Sequence, residues 1–170
     1  MTPLRFPVAV LMQRTPLANR WIDERWEPVA VLPLAAEAAA GVPERIDDDA
    51  AGERWRFVGH ALELHRSEAE GYFLNVTSPE PKVFVMWRLA DDGAAPAARP
   101  WIVTVSYNQA ARMLDGGEQV DAVPLPDVVR AWIEPFVAEH YKPEPRRKVK
   151  RNDPFKDGAF VRDRDHPDRK

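Results

Sequence analysis

Gly71-Tyr72-Phe73-Leu74-Asn75-Val76-Thr77, then Ser78-Pro79-Glu80-Pro81, then Lys82-Val83-Phe84-Val85-Met86-Trp87-Arg88-Leu89 is the stretch on which the reading of the fold turns. Two runs rich in β-branched and aromatic residues flank four turn formers, the pattern of a β-hairpin. Tyr72, Leu74 and Val76 share one parity, as do Val83, Val85, Trp87 and Leu89. Successive side chains on a strand point to opposite faces, so each set lies on one face. Phe73, Phe84 and Met86 make the other face apolar too. The expectation is a central hairpin, covered on both sides.

Working outward, Leu4 to Met12 reads as a strand with an edge-type Pro7. Gln13 to Asn19 reads as a turn. Arg20 to Pro28 leads into the apolar strand Val29–Leu32, and Trp21 and Trp26 have opposite parity unless Pro28 or a bulge resets the register. Pro33 to Glu53, alanine-rich and acidic, reads as a long surface loop with at most a helical turn or two in Leu34–Ala40. In Arg54–His65, Trp55 and Phe57 have one parity while Leu62 and Leu64 have the other. A bulge at Gly59 brings all four to one side. Arg66–Glu70 is a polar turn, Ala90–Pro100 a flexible connection, and Trp101–Tyr107 a strand beside the hairpin.

The period then changes. Asn108 is placed to cap a short helix running through Leu114 and stopped by Gly116-Gly117. Pro126-Asp127 opens a longer helix to about Tyr141. Its stripe is Val128, Val129, Trp132, Ile133, Phe136 and Val137, with a kink expected at Pro135. Strands followed by helices give an α+β domain over residues 1–141. The expected architecture is a bent antiparallel sheet or open barrel of about six or seven strands closed by the C-terminal helix, an element order shared with pleckstrin-homology-like barrels. Residues 142–170 read as a basic, proline-rich tail without periodicity, of the composition that stays disordered.

The 170 residues suffice for one domain with a core, and 45% apolar with 30% charged residues is ordinary for a globular protein. No run reaches the roughly 20 apolar residues of a membrane span. Phe6–Met12 is short, holds Pro7 and is followed by Arg14, so no signal peptide is expected. The absence of cysteine excludes disulfides, thiolate nucleophiles and Cys-ligated metal centres. A cytoplasmic location fits these features. The net charge of −3 divides into +5 for Lys142–Lys170 and −8 for Met1–Tyr141, an acidic body with a basic tail.

Several phrases resemble an uncharacterised bacterial protein family. They are Arg20-Trp21 through Trp26-Glu27-Pro28-Val29-Ala30-Val31-Leu32-Pro33, Tyr72 to Pro79, Val105-Ser106-Tyr107-Asn108 through Ala110-Ala111-Arg112-Met113, and His140-Tyr141-Lys142-Pro143 with the tail. Members of that family are often encoded beside formate dehydrogenase and molybdopterin-enzyme accessory genes. The resemblance implies a setting and no catalytic residues. Some members carry the label molybdopterin-guanine dinucleotide biosynthesis protein A. A nucleotidyltransferase of that kind needs a glycine-rich loop after its first strand. Here Gln13-Arg14-Thr15-Pro16-Leu17 follows that strand, with no glycine before Gly41, so the label does not fit.

No catalytic set stands out. His60 and His65 have opposite parity and no third ligand nearby, so no metal is expected there. Asp47-Asp48-Asp49 lacks the spacing and glycine of a calcium loop and reads as a solvated run. Ser67, Ser78 and Ser106 have no nucleophile-elbow context, and Gly116-Gly117 reads as a helix stop. Two features suggest partner binding. Trp21 and Trp26 stand among charged residues, as at contact surfaces, though two core tryptophans are the plainer reading. Arg146, Arg147, Lys148, Lys150 and Arg151 suit nucleic acid, an acidic partner or an anionic membrane surface, against the alternative of a solubilising tail. The expected function is a non-catalytic accessory or adaptor protein without a cofactor. It binds a protein partner such as a molybdoenzyme subunit or its chaperone, in maturation or assembly of a molybdenum-dependent formate dehydrogenase. The alternatives are an anionic small molecule or cofactor bound in the barrel mouth and weak nucleic-acid binding through the tail.

Overall fold

A computed structural model of the chain describes residues 2–49 and 52–145. The described residues form seven strands: β1 (Leu4–Pro16), β2 (Glu24–Pro33), β3 (Glu44–Asp49), β4 (Gly52–Leu64), β5 (Lys82–Leu89), β6 (Ala98–Thr104) and β7 (Gln119–Pro124). The helices are α1 (Ala69–Val76), α2 (Tyr107–Asp115) and α3 (Asp127–His140), and a 3-10 turn at Arg66–Glu68 leads into α1. The strands form two antiparallel sheets, ordered β2-β1-β4-β3 and β6-β5-β7, which do not close into a barrel. The expected α+β class is met, and the seven strands fall within the expected six or seven.

The central hairpin is not. Lys82–Leu89 is a strand, but Gly71–Val76 belongs to α1. Alternation and a short helical stripe both fit these residues. Ala69, Tyr72, Asn75 and Val76 recur at helical spacing, and all four are buried. Asn75 decides between the two. Its amide donates to the carbonyl oxygens of Lys82 (2.7 Å) and Val105 (2.8 Å), while its Oδ1 accepts from Lys82 N–H (2.9 Å). On a helix end it reaches the start of β5 and the end of β6 together. Tyr72 ties α1 to β4, donating to Glu63 O (3.1 Å) and accepting from His65 N–H (3.0 Å). Burial holds its phenol above the usual tyrosine range.

The second helix docks on the first through Ser106. Its Oγ accepts from Gln109 N–H (3.0 Å) as the cap of α2 and donates to Glu68 Oε2 (2.6 Å). The cap is thus Ser106, two residues before the expected Asn108. Arg112 also reaches Glu68. Gly71 permits this approach, because a Cβ there would lie 2.2 Å from Ser106 Oγ.

The long hairpin of β1 and β2 shifts register between Leu11 and Met12, so Val29 is the extra residue. The expected bulge at Gly59 is present, with φ +90° and a shift between Val8 and Val10. It sends Phe57, Leu62 and Leu64 into one core, against which Trp55 packs. Two strands were missed. β3 falls within the expected acidic loop, where Arg45, Arg54 and Arg56 pair with Asp48, Asp47 and Glu44. β7 follows α2 and pairs with β5. The helix α3 lays Val129, Ile133, Phe136 and Val137 on the common core, with edge-on ring contacts from Trp132 to Phe6 and from Phe136 to Tyr72.

Gly71→Ala forces a methyl group onto Ser106. The expected loss is about 1–3 kcal/mol from overpacking, despite alanine's better helix propensity. It will appear as a lower urea midpoint with an unchanged m-value. A variant as stable as the parent contradicts the docking of α1 on Ser106.

Candidate functional site

The junction around Asn75 leaves a cleft of about 390 Å³ beside it. Leu74 comes from the outer side of α1, Phe84 from β5 and Tyr107 from the first turn of α2. Leu74 is 43% and Tyr107 55% exposed, and the Tyr107 ring meets Phe84 edge-on at 6.2 Å. Ser78, Glu80 and Lys82 complete the rim. The polar groups at its base are already engaged. Asn75 is bonded on both side-chain atoms, and Ser78 Oγ donates to Asn75 O at 2.7 Å. Lys82 lies 3.3 Å from Glu80, whose side chain is largely exposed. Such a cleft has the size and the apolar lining to take an apolar side chain. Burying its exposed rings and aliphatic groups yields roughly 25 cal/mol per Å² of apolar surface.

The residues singled out in the sequence fall in different places. Trp26 is in the core and donates from Nε1 to Glu24 at 3.0 Å. Glu24 also accepts from Arg14, and these two hydrogen bonds, the Arg14 bond first, hold its carboxyl below the usual range. Trp21 is 82% exposed at the tip between β1 and β2, with Ile22 beside it and the Arg20 guanidinium over its ring. The tip is ordered by Leu17 N–H donating to Asp23 O and Trp21 N–H donating to Asn19 Oδ1. Arg146, Arg147, Lys148, Lys150 and Arg151 lie outside the described residues, as does the expected disordered tail beyond residue 145.

His60 and His65 line one polar groove between β4 and β6, together with Arg5 and Gln109. Arg5 is paired with Glu37 and Glu63, and His65 Nε2 lies 3.3 Å from Glu63. Burial holds the His60 imidazole below its usual range. Among the described residues no group of three or more His, Asp or Glu is arranged to hold a metal ion. Among them, too, no helix is long and apolar enough to cross a membrane. Ser106, weighed as a nucleophile, is fully buried as a helix cap. The cleft residues Leu74, Phe84 and Tyr107 were not foreseen as a site. Their only signal was apolar character beside turn and cap residues, in segments up to 33 positions apart.

Fold and site together define a two-sheet α+β domain with an apolar cleft at the meeting of α1, β5 and α2. Residues 7–150 match the family model described as Protein of unknown function (DUF3305), and the chain belongs to that family. No curated protein and no solved structure matches it.

Trp26→Ala is expected to cost about 3–5 kcal/mol through loss of a buried indole, and Trp21→Ala to stay within about 0.5 kcal/mol. Urea unfolding of both variants checks the contrast. For His60 the folded state resists the proton that the unfolded state accepts. Stability therefore falls as pH drops below about 6.5, until the lower folded-state value is passed. His60→Gln is expected to flatten this part of the profile, measured as urea midpoints from pH 8 to 5.5.

Proposed function

We propose that this protein is a non-catalytic accessory protein that holds a segment of another protein in the cleft of Leu74, Phe84 and Tyr107. Its place of action is the cytoplasm, in maturation or assembly of a molybdenum-dependent formate dehydrogenase. The observation that carries the binding role is the cleft itself. Two large apolar groups stay exposed on a rim whose polar base is already bonded to the protein. Isolated exposed apolar groups are common, whereas a cluster around a concavity marks a docking surface.

The metabolic setting rests on the resemblance carried by Tyr72–Pro79 and Val105–Met113, two segments that meet at this cleft. The second contact in this reading is the cationic sequence Arg146, Arg147, Lys148, Lys150 and Arg151. Binding of an anionic small molecule between the sheets has one supporting feature, the polar groove with Arg5 and His60. It is the weaker reading, because Arg5 is already paired with two carboxylates and the open sheets form no barrel mouth.

Affinity co-purification from a native bacterium grown on formate tests the proposal, comparing the parent with Leu74→Asp and Tyr107→Ala. A molybdoenzyme subunit or its chaperone is expected with the parent and at least about tenfold less with Leu74→Asp, a loss of about 1.4 kcal/mol or more. Both variants should keep the parent's melting temperature within a few degrees. Recovery of neither protein by the parent, or equal recovery by all three, overturns it.

A further inference from the structure

The start of β1, the end of β4 and the end of α3 meet around a cavity of about 520 Å³. Small-molecule sites span roughly 300–1,000 Å³, and they combine an apolar lining with a few placed polar groups. Here Leu64 and Phe136 supply buried apolar surface from the core, and Leu4 beside them is 53% exposed. Arg66 and Ser67 line the same cavity, with His65 and His140. The turn that carries Arg66 is held in place. Glu68 N–H donates to His65 O, and His65 N–H donates to the Tyr72 hydroxyl, both at 3.0 Å.

Arg66 differs from the other arginines of the described residues. Each of those meets a carboxylate or, for Arg20, lies over the Trp21 ring. Among the described residues the exposed Arg66 guanidinium has no such partner, and the Ser67 hydroxyl makes no hydrogen bond. Two carboxylates contact other residues of the lining: Glu63 lies 3.3 Å from His65, and Glu139 lies 3.7 Å from His140. Neither pairs with Arg66. A guanidinium takes a carboxylate through two parallel hydrogen bonds. An unmatched arginine beside an apolar floor therefore complements a molecule with a carboxylate at one end and an apolar body. A second negative charge on that molecule would meet Glu63 or Glu139.

We infer that this cavity binds a small monocarboxylate with an apolar body, its carboxylate on Arg66 and Ser67 and its body against Leu4, Leu64 and Phe136. The site is separate from the cleft at Leu74, and its test needs no protein partner.

The test titrates the isotope-labelled full chain with octanoate at neutral pH. Octanamide is the control without charge, and acetate the control without an apolar body. Amide shift changes are expected at Leu4, at Leu64–Ser67 and at His140. Binding is expected to be at least about tenfold weaker for either control, and for Arg66→Gln with octanoate. Arg66→Lys keeps the charge without the planar fork and should fall between. Arg66 is exposed, so Arg66→Gln should melt within a few degrees of the parent. Three results overturn the inference: no change at ten millimolar octanoate, changes confined to the Leu74 and Tyr107 cleft or to the groove of Arg5 and His60, or octanoate binding that neither loss of its charge nor Arg66→Gln weakens.

Discussion

Asn75 satisfies three backbone groups with one side chain, and the joining of the two halves of the chain depends on it. It is 2% and Val105 1% exposed, so neither has water to turn to. Removing it strands the buried Val105 C=O at a cost of about 1–3 kcal/mol and takes from the half-buried Lys82 N–H and C=O their side-chain partner. The bonds also fix geometry. α1 must end where β5 begins, and β6 must stop where α2 begins. Ser106 completes the joint by capping α2 while donating to Glu68 at the entry to α1. Gly71 lets the helices approach closely enough for that bond.

The cleft follows from this joint. With Asn75 turned inward, the preceding residue Leu74 faces out, and Phe84 and Tyr107 are carried to the same place by β5 and α2. The surrounding surface is largely one of paired charges. Arg5, Arg14, Arg54, Arg56, Arg88 and Arg112 each contact a carboxylate. Exposed pairs of this kind add little stability. Exposed apolar groups occur at the cleft, at the Trp21 tip and at Trp101, and singly elsewhere, as at Val42, Leu89 and Val128.

Much of the fold was legible where local pattern and tertiary environment agree. The parity conflict between Phe57 and Leu62 around Gly59 required a bulge, and the stripe of α3 required a helix. Elsewhere the deciding partner was remote. Tyr72 and Val76 fit alternation as well as helical spacing, and the bond that settles the matter joins Asn75 to Val105, 30 residues away. β3 was hidden because Asp and Glu are poor strand formers, and its partners Arg54 and Arg56 lie on the next strand. β7 is six residues long and its alternation too brief to register. None of the cleft was marked in advance: of the two tryptophans singled out, Trp26 lies in the core and Trp21 at the β1–β2 tip. The cleft takes its large apolar side chains from three elements, so no single stretch of sequence displays it.

Amide hydrogen exchange of the parent and Asn75→Ala measures the role of this joint most directly. In the parent, the Lys82 amide should be protected to the level of the core strands. In the variant, protection should fall together across α1, the first half of β5 and residues 105–109, while β1, β2 and β4 keep theirs. Loss confined to the Lys82 amide, or no loss at all, contradicts the account, because Asn75 would then be one hydrogen bond among many and not the joint on which the cleft is built.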